Sequence, residues 1–248
     1  MRTSRRATVM RAFGKRLGHM NEFLQPSRLC DCDNPTLRMK ARWIMGKAQN
    51  PVEIARAVFL FVRDYIRFGL DRADRAASET LERSIGFCVN KANLQVALLR
   101  AAGLPARFHQ VVLTKNCLNG IFPAAVLARM PSHIWYHPWC ECQLRGQWLS
   151  CEALYDKPLF RPTLATGILN QDRIPSIEWD GEHDLRLMTS WLLEDRGTHA
   201  ELDAIFVEAQ AEQPPSMLAG LVHFLTNRHI ASLRRRAKPE DEPRPMSS

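Results

Sequence analysis

Apolar residues recur along the chain at spacings that switch from helical to strand-like near its middle. Asn34-Pro35 opens a first predicted helix, with Asn as N-cap and Pro at the first helical position. Leu37, Ala41, Ile44, Met45 and Ala48 form its apolar stripe. Asn50-Pro51-Val52-Glu53 repeats the device, and Glu53 at the third helical position completes a capping box. The helix predicted over 51–68 is so apolar (Ile54, Val58, Phe59, Phe61, Val62, Ile66) that it belongs in the interior. A short turn is expected at 78–83. A third helix, 88–102, closes at Gly103 with Pro105 behind it.

Residues 106–113 read as a strand and 114–131 as a surface excursion without a period. His137–Leu144 and Gln147–Tyr155 alternate as two strands of a hairpin turned at Arg145-Gly146. Further helices are expected over 199–210 and 216–233, and disorder over 237–248. Helices first and strands after indicate an α+β domain. The expected organisation is an arm and loop (1–33), a domain (34–190), a helical extension (191–236) and a tail (237–248).

Charge sharpens this picture. The net charge is +8, of which residues 1–20 carry +6 and residues 234–248 carry +2, so the 213 residues between are formally neutral. Two solvated basic tails on a neutral domain argue against a dedicated nucleic-acid-binding face. No apolar run is long enough to span a membrane, and the basic N-terminus lacks the apolar stretch of a signal peptide. Seven cysteines, an odd number, read as reduced thiols, and a cytoplasmic location is expected.

Among the thiols, only Cys88 falls at a predicted helix N-terminus. Backbone N–H groups and the helix dipole there favour a thiolate and can receive an oxyanion, and Gly86 permits close approach. If Arg145-Gly146 are the two turn residues, hairpin partners sum to 291. Alternation then places His137, Trp139, Glu152, Leu154 and Asp156 on one face, with both carboxylates diagonal to His137. A base held by an acid is what a thiol nucleophile needs. His133 is a competing base, and Trp139 is placed to shield the site from water. Cys140, Cys142 and Cys151 share the opposite face. Their C-x-C spacing fits core packing better than zinc, even with Cys30-Asp31-Cys32 as further ligands. No phosphate-binding loop, dinucleotide fingerprint, serine elbow or calcium loop is present.

Gly86-Phe87-Cys88-Val89-Asn90-Lys91-Ala92-Asn93-Leu94, followed by Ala97-Leu98-Leu99-Arg100-Ala101-Ala102-Gly103-Leu104-Pro105-Ala106-Arg107, resembles the nucleophile helix of the transglutaminase-like superfamily. His137-Pro138-Trp139-Cys140-Glu141-Cys142 with Gly146-Gln147-Trp148 resembles that family's H-x-W-x-E…G-x-W strand pair, and 51–68 its preceding helix. The resemblance covers roughly residues 50–160. It implies a papain-like α+β fold with the nucleophile helix packed on an antiparallel sheet. It further implies Cys88 as nucleophile, His137 as base and, four positions after Trp148, Glu152 where the family has Asp, with Asp156 as the spare third member. The implied chemistry is acyl transfer on a peptide or protein amide, without a cofactor. A catalytically silent interaction domain is the alternative, and binding through the basic tails a lesser one.

Overall fold

The computed structural model describes residues 22–46, 48–203, 205–206 and 219–236. Helix α1 (Pro35–Met45) and helix α2 (Pro51–Tyr65) begin as expected. Asn34 Oδ1 accepts from the Thr36 amide at 2.9 Å. Asn50 Oδ1 accepts from Glu53 N at 3.0 Å while Glu53 Oε2 accepts from Gln49 N at 2.8 Å. Helix α2 stops at Tyr65 because Ile66 turns extended, and Arg67–Phe68 (β1) pairs in parallel with Ile85–Gly86 (β2). The turn expected at 78–83 is instead a helix, α3 (Ala77–Arg83), whose first turn is fixed by Glu79 Oε2 on the Ala76 amide at 2.9 Å. Helix α4 (Cys88–Ala101) follows.

The main sheet is antiparallel, in the order β5-β4-β3-β6, from β3 (Ala106–Thr114), β4 (His133–Leu144), β5 (Gln147–Ser150) and β6 (Leu192–His199). The hairpin register is the expected one: Leu144 faces Gln147 and Glu141 faces Ser150. Arg145 (φ 51°) and Gly146 (φ 80°) both sit in the left-handed region that a two-residue turn between twisted strands requires. Between β3 and β4 the chain forms a 3₁₀ turn (Lys115–Leu118) and a short helix, α5 (Ala124–Leu127), where no period was expected.

Further expectations are corrected. The strand predicted to run to Tyr155 ends at Ser150: Cys151 N still donates to Cys140 O at 2.9 Å, but Cys151 also bridges Leu185, and Glu152 N donates to Leu185 O at 3.0 Å instead of continuing along β4. Residues 192–199, expected within a helical extension, form the edge strand β6. Arg234, counted with the solvated tail, is docked instead. After helix α6 (Lys157–Ala165), helix α7 (Ala219–Arg234) returns to the domain. There Arg234 pairs with Asp156 and donates to Phe68 O, while Asn227 makes two bonds to the Leu70 backbone, at 2.7 and 2.8 Å. The basic N-terminal arm (1–20) and the tail 237–248 lie outside the described residues, as do 207–210 of the helix expected over 199–210. Among the described residues no helix is long and apolar enough to cross a membrane.

Two apolar cores flank the sheet. One packs α1, α2 and α4 against Phe108, Cys140, Cys142 and Cys151. The other gathers Trp139, Val111, Leu113, Tyr155, Leu187, Trp191 and Ile230. Phe87 and Cys88 touch both, so the start of α4 lies on their seam.

Asp156 is the buried anchor of this arrangement. It caps α6 through the Leu159 amide (3.1 Å), accepts from Phe68 N (2.7 Å) and pairs with Arg234. Removing one member of a largely buried ion pair leaves the other uncompensated. Asp156→Asn is therefore expected to destabilise the protein by about 3 kcal/mol, read as a lowered midpoint in urea denaturation.

Candidate active site

Helix α4 begins at Cys88 with Phe87, in extended conformation, as N-cap. The Phe87 carbonyl accepts the first helical bond, from Lys91 N at 2.9 Å. The N–H groups of the opening turn have no carbonyl one turn behind them and remain directed at the space before the helix. Gly86 is needed here for space: a Cβ on it would lie 2.6 Å from Cβ of Asn90. Asn90 in turn donates to Arg72 O at 2.9 Å, tying the turn to the 69–75 segment.

The seven thiols separate cleanly. All are free, and Cys88 alone is half-exposed among them. Burial pushes Cys30 and Cys117 up to about 12. Cys32, Cys140 and Cys151 are raised chiefly by burial, and Cys142 by its contact with Cys151 and then by burial. These six are protonated core residues with little nucleophilic character. Cys140, Cys142 and Cys151 do cluster as the register requires. Among the described residues, however, no set of His, Cys, Asp or Glu is arranged to hold a metal ion.

Cys88 Sγ lies 3.8 Å from the carbonyl of Tyr136, the residue before His137. His137 is 4% exposed, and its Nε2 is 2.7 Å from Oε1 of Glu152, itself 4% exposed. That bond leaves Nδ1 as the ring nitrogen for Cys88. Burial alone would lower the His137 pKa, but the Glu152 carboxylate and the Cys88 sulfur outweigh it and raise the value to about 10. The arrangement thus favours a charged imidazolium at His137. Trp139 stands with its ring 6.3 Å from that of His137 and is 2% exposed, closing one side to water.

The structure brings Cys88, His137 and Glu152 together and leaves the other candidates out. Asp156, the spare third member, is committed to Arg234, Phe68 and the start of α6. His133 is exposed and engaged with Ser132 and the Trp135 ring. One partner escaped sequence reading: the Leu187 amide donates to Oε2 of Glu152, so both carboxylate oxygens are fixed. A backbone N–H leaves no residue signature. Behind Cys88 lies a cavity of only about 10 Å³, lined by Lys91, Gln95, Trp139 and Glu152, with room for about one water. A substrate must therefore approach from the solvent side.

A family model described as the transglutaminase-like superfamily matches residues 38–153. Among solved structures, a candidate cysteine protease from Cytophaga hutchinsonii is similar at 21% identity and a TM-score of 0.49, over 75% of this chain and 48% of that one. Red sea bream transglutaminase is similar at 15% identity and a TM-score of 0.33, over 54% of this chain and 26% of that one. The chain thus spans about half the length of the former. No curated protein matches the chain.

The raised His137 value carries a stability signature. Its contribution is full below about 6.5, the ordinary histidine value, and is lost as pH rises through about 10. The difference in unfolding free energy between the native chain and His137→Gln is therefore expected to shrink from pH 6.5 to pH 10, as measured by urea denaturation across that range.

Proposed function

We propose that the protein, whose residues 38–153 match the model of the transglutaminase-like superfamily, is a cysteine-dependent enzyme of acyl transfer on peptide or protein amides. Cys88 is the nucleophile, His137 the general acid and base, and Glu152 the residue that orients His137. The observation carrying this reading is the one half-exposed thiol, at a helix start, beside a buried histidine whose far nitrogen is held by a carboxylate at 2.7 Å.

The Cys88 thiolate attacks the amide carbonyl carbon, and the carbonyl π electrons move to oxygen. Helix-start N–H groups stabilise that oxyanion. As the oxyanion collapses the C–N bond breaks, and His137 delivers its proton to the departing nitrogen, releasing an amine and leaving a thioester on Cys88. Neutral His137 then takes a proton from water or from an acceptor amine as it attacks the thioester. The C–S bond breaks as the resulting second oxyanion collapses, so the products are a carboxylic acid or a new amide, and the Cys88 thiolate leaves beside a reprotonated His137. Glu152 has one methylene more than the family's Asp. Its second oxygen, bound to the Leu187 amide, fixes that longer side chain so that it still meets Nε2.

The test is iodoacetamide labelling resolved by cysteine. Cys88 is expected to label at neutral pH at least tenfold faster than the other six. His137→Ala should remove that advantage, and Glu152→Gln should reduce it without removing it, since the base is misoriented rather than lost. With Cys88 labelling no faster than an ordinary thiol, a silent interaction domain becomes the better description.

A further inference from the structure

Two histidine rings contact Trp139. Besides His137, His109 of β3 lies directly opposite Trp139 in the β3–β4 register, its ring 4.5 Å from the indole and inclined by only 17°. Both of its nitrogens meet carboxylates: Nδ1 is 2.8 Å from Oε1 of Glu141 on β4, and Nε2 is 2.8 Å from Oδ1 of Asp195 on β6. Ionised carboxylates only accept hydrogen bonds, so two such partners require an N–H on each ring nitrogen, which is the imidazolium. A cation lying flat on an indole is a cation–π contact.

The stack is locked to the site by a closed set of bonds. Trp139 Nε1 donates to Ser150 Oγ at 3.2 Å, and Ser150 Oγ donates to Glu141 Oε1 at 3.3 Å, the oxygen that also binds His109. Arg186 Nε donates to the same hydroxyl at 3.0 Å. Trp139 is two residues from His137 on β4, and Ser150 is two residues from Glu152. The set therefore grips both chain segments that carry the base and its acid.

We propose that His109, as an imidazolium stacked on Trp139, is a positioning residue that sets the geometry of the His137–Glu152 pair. The proposal rests on the roles given above to Cys88, His137 and Glu152. The charged groups facing His109 are Glu141 and Asp195. Arg107 (2.8 Å from Glu141 Oε2) shares the first carboxylate, and Arg186 lies over the Trp139 ring at 5.9 Å. Burial opposes the His109 charge, but the two carboxylates prevail, so its value is raised. As pH rises through that value the ring loses one N–H. One carboxylate is then left facing a lone pair, the stack loses its cation, and Trp139 relaxes away from His137. Cys88 reactivity thus carries an ionisation belonging to neither Cys88 nor His137.

His109→Phe keeps a ring on the indole and removes the charge. Two measurements on the full chain test the idea: Trp139 fluorescence against pH, isolated by difference from Trp139→Phe, and Cys88 labelling by iodoacetamide between pH 5 and 10. The native protein is expected to show a Trp139 transition above pH 6.5, because an imidazolium quenches indole emission, and His109→Phe should lack it. The same variant should label Cys88 about three- to tenfold more slowly at pH 7, the span of a partly buried cation–π contact, with a pH profile missing one ionisation. His109→Gln serves the same comparison should His109→Phe not fold. An unchanged labelling profile in the variant, with Cys88 reactive in the native protein, overturns the positioning role alone. A native Cys88 no more reactive than an ordinary thiol overturns the assigned roles and the positioning role with them, even where the fluorescence transition behaves as described.

Discussion

Helix α4 is enclosed on every side, and the rest of the domain is arranged to satisfy it. Asn90, Lys91, Asn93, Gln95 and Arg100 are all buried on this helix. Desolvating so many polar side chains is tolerable only if they find partners, and each donates to backbone, although Asn93 Oδ1 has no hydrogen-bond partner among the described residues. Lys91 Nζ donates to the carbonyls of Arg63 and Ile66 at the end of α2. Asn93 takes Leu29 O, and Gln95 takes Cys151 O. Arg100 binds the carbonyls of Gln25, Ala106 and Ala200. The burial that holds these loops in place also holds Cys88 still at the helix start.

Gln95 carries that order into the site. Its bond to Cys151 O, at 2.9 Å, fixes the residue next to Glu152, while the Leu187 amide fixes the carboxylate itself. Cys88 and Glu152 are thus held by connected pieces of one frame, and His137 bridges them from β4. The seam between the two apolar cores adds a half-open approach to the thiol without exposing its partners.

Much of this is legible in the amino-acid sequence alone. The Asn-Pro starts of α1 and α2, the Arg145-Gly146 turn and the 291 register are local rules of backbone chemistry, and they hold in the fold. From the register alone, Glu152 comes out diagonal to His137, and the two side chains meet. Asp156 fits the same alternation but fails, because the strand departs at Cys151 to pair with Leu185, a contact 34 residues distant that no local pattern announces. β6 was missed for a related reason: Leu192–His199 is an edge strand with exposed leucines and acids, so it shows no alternating apolar face. The burial of α4 was hidden too, because its polar residues look like a solvent face until their backbone partners are known.

Arg100 also bears on when the chain can finish folding. Its guanidinium joins positions 25, 106 and 200, so contacts spanning 75 and 100 residues converge on one side chain. Loop closure over such lengths comes late and slowly. During synthesis the central helix would emerge with two of these carbonyls at hand, and the third only when the segment around residue 200 arrived. Of the three carbonyls that hold the thiol-bearing helix through Arg100, that of Ala200 is therefore the last to be engaged.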